Sequence, residues 1–149
     1  MRKRRVLRRG ERGQGLLEFA LASLGLFMLI LGTIDVGRAV WNYNTLAQAT
    51  REGTRYAIVH GVHSSDPSGP GSSYYTPPNQ DTKVTETVQT FAKGLDPALL
   101  TVEAEWPDGT NEVNMRIKVT SRYTYEPMFD FLGIVSFDIS SSSTMSIAH

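Results

Sequence analysis

The sequence predicts an α+β fold, a long N-terminal helix joined to a small head of one helix on a three-stranded antiparallel sheet. Three observations predict it. Apolar, then amphipathic residues run from Gln14 to Gly61 without a proline. A second, shorter helical pattern occupies residues 82–94. After Ala98 the apolar period switches from helical spacing to strict alternation. Four segments follow from this: 1–13, a basic leader; 14–61, the long helix; 62–81, a loop; and 82–149, the head.

The first segment holds seven of the fifteen basic residues (Arg2, Lys3, Arg4, Arg5, Arg8, Arg9 and Arg12) against one acid, Glu11. Behind it, sixteen uncharged and mostly apolar residues run from Phe19 to Ile34, with Leu16 and Leu17 in front. That length approaches the roughly 17–25 residues that cross a bilayer as a helix. A transmembrane segment over about 16–37 is expected, and the basic flank predicts a cytoplasmic N-terminus and an extracytoplasmic head. Glu18 is out of place near the start of this run, where a carboxylate is costly and marks a functional position. A secretory cleavage site would follow the apolar run, yet Ala20-Leu21-Ala22 lies near its beginning.

Beyond the apolar run the helix continues. Val36, Val40, Tyr43, Ala47, Thr54 and Ala57 recur near helical spacing and predict the face that meets the head. Asp35 and Arg38, three residues apart, form an expected pair at the outer membrane boundary. Trp41 and Tyr43 follow at interfacial depth. A helix from Gln14 to His60 is about 70 Å long.

Residues 62–81 are rich in Ser, Pro and Gly and read as a long surface loop. In 82–94, Val84, Val88, Phe91 and Leu95 share a face, Thr82 or Asp81 can cap the start, and Gly94 is the stop. Leu100, Val102, Ala104 and Trp106 then alternate with polar residues, Pro107–Thr110 is a tight turn, and Val113, Met115, Ile117 and Val119 alternate again, which is a β-hairpin. Pro127 stops that strand. A last strand carries Val135, Phe137, Ile139, Met145 and Ile147 inward.

Formal net charge is zero, but without residues 1–13 the chain holds eight Lys/Arg against fourteen Asp/Glu. A basic end on an acidic body suits a topology signal at an anionic leaflet and argues against nucleic acid. The chain has no cysteine, which excludes a disulfide framework and any thiolate chemistry. His60, His63 and Asp66 resemble a ligand set but fall in a loop-rich stretch. Glu103 and Glu105 share the polar face of a strand, where solvation is the simpler reading than acid–base catalysis. No catalytic site, cofactor, metal or small-molecule substrate is expected.

Gly13, ending a basic leader, with Glu18 five residues on and an apolar helix beyond, resembles the prepilin signal. The order of short motifs along the chain is similar to that of the TadE-like family of tight-adherence (Tad) pilus proteins. They are Arg12-Gly13-Gln14-Gly15 with Leu17-Glu18-Phe19-Ala20, then Asp35-Val36-Gly37-Arg38, Ala49–Ala57 and Arg122–Pro127. The resemblance implies a minor pilin or pseudopilin of the bacterial inner membrane, or of a surface pilus. It implies cleavage by a prepilin peptidase between Gly13 and Gln14, and a Glu18 needed for assembly with other pilin-like subunits. It brings no catalytic site. An uncleaved, membrane-anchored extracytoplasmic binding domain is the alternative from a different class. A third is an anchored hydrolase using Glu103 and Glu105.

Overall fold

The computed structural model describes residues 10–68, 73–76, 79–80, 83–129 and 136–148 of the 149-residue chain. Helix α1, Gly10–Val59, is a single run of fifty residues, about 75 Å long. It starts one turn before the expected Gln14 and ends where expected. Helix α2 is Lys83–Phe91. The strands are β1 Ser73–Thr76, β2 Asn79–Gln80, β3 Leu100–Glu105, β4 Arg116–Tyr125 and β5 Phe137–Ser146. They form one antiparallel sheet in the order β2-β1-β3-β4-β5. The three expected strands are its centre and one edge. The stretch expected to be loop extends the other edge with β1 and β2.

One face of the sheet carries the core. Leu100, Val102 and Ala104 on β3, with Ile117, Val119, Tyr123 and Tyr125 on β4, are buried. Helix α1 covers β4 and β5, and α2 packs on α1 and β3. The layout is a two-layer α+β head standing on the outer half of a long helix.

The face of α1 that meets the head is only partly the expected one: Thr54 and Ala57 are buried as expected, but the larger residues are not. Val36, Val40 and Tyr43 are exposed, while Leu46, Ala49, Thr50, Gly53, Thr54 and Ala57 are buried. Close approach explains the difference. A Cβ on Gly53 would lie 2.2 Å from Val88 Cγ2, so α2 crosses α1 where only glycine fits. The two threonines bury their hydroxyls at no polar penalty, because each donates to the carbonyl four residues back, Thr50 to Leu46 at 2.7 Å and Thr54 to Thr50 at 2.8 Å. Small residues on β4 and β5 match this on the sheet side, where Ser121 is buried and in register with Ser141.

In α2, Val84 and Val88 are buried as the spacing predicts, but Phe91 is half exposed and Ala92 takes its place in the core. Gly94 stops the helix in the left-handed region, φ 89°. A Cβ there would come 2.6 Å from Trp41 Cη2, so the indole of α1 lies over the turn after α2. The capping positions Asp81 and Thr82 lie outside the described residues, as does Val135.

The β3–β4 hairpin is longer than alternation suggests. β3 ends at Glu105, and Gly109, φ 75°, closes the first turn by donating its N–H to the Trp106 carbonyl at 2.9 Å. Asn114 then takes φ 69°, which asparagine tolerates better than most residues, and donates its N–H to Ile147 O. This second turn keeps residues 112–115 out of the strand and leaves Val113 exposed. Trp106, past the strand end, is still buried. In β5, Ile139 and Met145 are half-buried and Ile147 is buried, whereas Phe137 at the strand's first position is exposed.

The top of the head is fastened to the end of α1 by Asn111, which is buried. Its Oδ1 accepts from the Trp106 indole N–H at 3.2 Å, and its Nδ2 donates to the carbonyls of His60 and Ser68 at 3.2 and 2.7 Å. The His60 carbonyl also accepts from the N–H and Oγ of Ser68. Carbonyls at a helix C-terminus have no partner within the helix, and here folding the 61–68 segment back over the end supplies one. Ala148 adds a backbone bond to Ile58 O at 3.0 Å.

Candidate functional site

The sequence singles out Gly13, Gln14 and Glu18, and all three lie on the exposed first turns of α1. The helix runs unbroken through the Gly13–Gln14 bond, and nothing lies within 4 Å of where a Gly13 Cβ would sit. Gln14 and Glu18 are one turn apart, and the Gln14 amide donates to Glu18 Oε1 at 3.3 Å. Around them Leu16, Leu17, Phe19 and Leu21 are all exposed. The helix from Gly13 onward is long and apolar enough to cross a membrane, and none of its most apolar window is buried against the rest of the chain. A core helix of a water-soluble fold would bury that surface. The exposed apolar half therefore suits membrane anchoring.

Asp35 ends this apolar half, and its side chain does more than the expected pairing with Arg38. The Arg38 guanidinium is 3.6 Å away, which makes the pair. The stronger partners come from the far end of the chain. Asp35 Oδ1 accepts the Met128 N–H and Oδ2 the Phe129 N–H, both at 3.0 Å. The Tyr125 hydroxyl donates to the Asp35 backbone carbonyl at 3.0 Å. The Asp35 side chain is only 13% exposed as a result. One carboxylate thus joins α1 to the end of β4 and the start of the β4–β5 connection.

Tyr125 completes this foot. Its ring packs 5.2 Å from Phe137, its partner in the β4–β5 register, and the Arg38 guanidinium carbon stands 5.9 Å from the ring centroid, within cation–π range. Burial is the largest influence on the phenol and raises its pKa. The Arg38 charge acts in the opposite direction. The hydroxyl therefore remains a donor to Asp35 at neutral pH. Sequence reasoning found Asp35 and Arg38 but missed Tyr125 and the 128–129 backbone, because a contact across ninety residues leaves no periodic trace.

Three of the residues considered for chemistry, His60, Asp66 and Glu105, are engaged in structure. The His60 ring stacks on Tyr56 at 3.9 Å, with Nδ1 2.8 Å from the Tyr56 carbonyl. Asp66 pairs with Lys83. No group of three metal-ligating side chains occurs among the described residues. Glu105 is 3.7 Å from Lys118, across the register from β3 to β4.

No curated protein and no solved structure matches the chain. A family model described as TadE-like protein matches residues 13–55. The matched segment holds Gly13, Gln14 and Glu18, the exposed apolar half of α1, Asp35 with Arg38, and most of the face buried under the head. Over residues 13–55, a segment that includes most of α1, the chain is therefore similar to the TadE-like family.

Proposed function

We propose that the chain is a pilin-like subunit, a minor pilin or pseudopilin, of a tight-adherence pilus system. In this reading a prepilin peptidase removes residues 1–13 and exposes the amine of Gln14. The protein sits in the bacterial inner membrane with its head outside the cytoplasm, and it acts structurally, through packing of α1 against the helices of other pilin-like subunits. The observation that carries this is the placement of Glu18, an exposed carboxylate one turn from Gln14 on an otherwise apolar helix within the TadE-like match.

Such a carboxylate is tolerated in an apolar bundle only when paired, since burying a lone charge is far costlier than burying a paired one. The new amine of a neighbouring subunit's Gln14 supplies the partner. Bundle formation then satisfies two charges at once and fixes the register between helices.

The test is the intact mass and N-terminal sequence of the protein extracted from its native membrane. A chain beginning at Gln14 supports the reading, and a methylated amine supports it further. A chain that keeps residues 1–13 in cells with an active prepilin peptidase overturns it and leaves an uncleaved, membrane-anchored binding domain.

A further inference from the structure

We propose that the foot of the head rests in the lipid headgroup layer, so that the protein touches the bilayer at the β4–β5 side of the sheet as well as through α1. This rests on the reading of α1 as a membrane-spanning helix.

The argument begins with depth. The apolar run ends at Ile34, so Asp35 marks where the helix leaves the hydrocarbon. The interfacial layer on each side of a bilayer is about 5–7 Å thick. Hydrogen bonds of 3.0 Å from Met128 N and Phe129 N to the Asp35 carboxylate hold that backbone at the same depth. The foot is not free to lift without breaking them.

Surface chemistry agrees with that depth. Met128 is 60% exposed and Phe137 43% exposed. Apolar side chains gathered on one rim of a head mark a contact surface. Two charged groups at this level, Asp35 and Arg38, are already engaged. The Asp35 carboxylate is satisfied by backbone N–H groups, and Arg38 lies against the Tyr125 ring with its guanidinium still half exposed toward the phosphate level. Trp41, about 9 Å further along the helix, lies past that layer with its indole over the turn after α2. Glu126 and Asp138 are also exposed near this rim, and Asp138 accepts from Thr124. They oppose attraction to anionic lipid, so apolar insertion and not charge leads the contact.

The chain has no cysteine, so single cysteines can be placed and labelled with an environment-sensitive fluorophore. The full chain is reconstituted in vesicles of phosphatidylethanolamine and phosphatidylglycerol, with nitroxide-bearing lipids as quenchers. Met128→Cys reports the foot and Phe137→Cys gives a second, independent position. Phe27→Cys reports the apolar half of α1, and Val113→Cys the opposite end of the head. The expected result is a blue-shifted emission at positions 128 and 137, with greater loss of intensity to headgroup-level nitroxides than to chain-end ones. Position 113 should respond to neither. Quenching at 27 with positions 128 and 137 behaving like 113 overturns the proposal while leaving the spanning helix intact. No quenching at 27 overturns the spanning reading and the proposal with it.

Discussion

The Tyr125 hydroxyl donates to the backbone carbonyl of Asp35 at 3.0 Å, closing a loop of ninety residues at the point where the apolar helix becomes the stalk of the head. The same aspartate receives two backbone N–H groups from residues 128 and 129. Tyr125→Phe keeps the ring against Phe137 and Arg38 and removes one hydrogen bond, an expected loss of about 1 kcal/mol. Asp35→Ala keeps the carbonyl that accepts from Tyr125 but removes the carboxylate that holds the 128–129 backbone, and the expected loss is about 1–3 kcal/mol. Denaturant midpoints of the full chain in detergent, followed by near-ultraviolet circular dichroism, measure both. An Asp35→Ala midpoint equal to the parent's would mean that the carboxylate does not hold the 128–129 backbone.

Gly53→Ala is expected to destabilise the head by about 1–3 kcal/mol, because the added carbon has to displace Val88 from the α1–α2 crossing. In an ordinary helix the same exchange stabilises by about 0.5–1 kcal/mol. Gly37→Ala provides that comparison, since nothing lies within 4 Å of its Cβ position. Thermal melts should therefore move in opposite directions for the two variants. A rise for Gly53→Ala would show that the helices separate freely.

The Asp108 carboxylate accepts from Arg116 through Nε at 3.1 Å, Nη2 at 2.7 Å and the backbone N–H at 2.8 Å. The side-chain bonds to Arg116, followed by the backbone bond, lower its pKa from 3.8 to about 2. A depressed carboxylate pKa contributes stability that is full above the unfolded value and is lost as pH falls through the folded one. The contribution should therefore disappear between about pH 4 and pH 2. Asp108→Asn should be less stable than the parent at neutral pH and should lose less between those limits. Parallel stability profiles for the two proteins would show that the fork is not formed in solution.

Glu18→Ala is expected to leave membrane insertion unchanged, since it removes the costliest group from the apolar helix, and to abolish assembly into pili. Fractionation measures the first outcome and electron microscopy of sheared pili the second. Normal piliation would remove Glu18 from the mechanism.

Much of this arrangement can be read along the sequence, and what cannot has a common cause. The apolar run, the Asp35–Arg38 spacing, the stop at Gly94 and the three main strands follow from local rules of period, turn chemistry and charge. The buried face of α1 is different. Size alone favours Val36, Val40 and Tyr43, but the sheet and α2 approach so closely that Thr50 and Gly53 are buried instead, beside the expected Thr54 and Ala57. Val113 fails for a related reason. Alternation continues through a turn that Asn114 makes with a positive φ, and the pattern does not register the change. Asn111 fastens the end of α1, and Tyr125 its Asp35, through partners far away in the chain, and such contacts leave no local pattern.

The fastening of α1 to the sheet has a mechanical consequence. β5 runs alongside α1 in the same direction, from Phe137 near the Asp35 end to Ile147 near Ile58. The two are joined through the Asp35–Tyr125–Met128 group at one end and the Ile58–Ala148 and His60–Asn111 bonds at the other. Tension along the helix axis loads these attachments in shear, with the core contacts between them sharing the force, instead of peeling them apart one by one. Forced unfolding is governed by the unfolding rate, and a joint loaded in shear has a high barrier along that coordinate. A chain pulled by its apolar helix would therefore keep its head folded to greater forces than one whose head is joined to that helix by a single flexible linker.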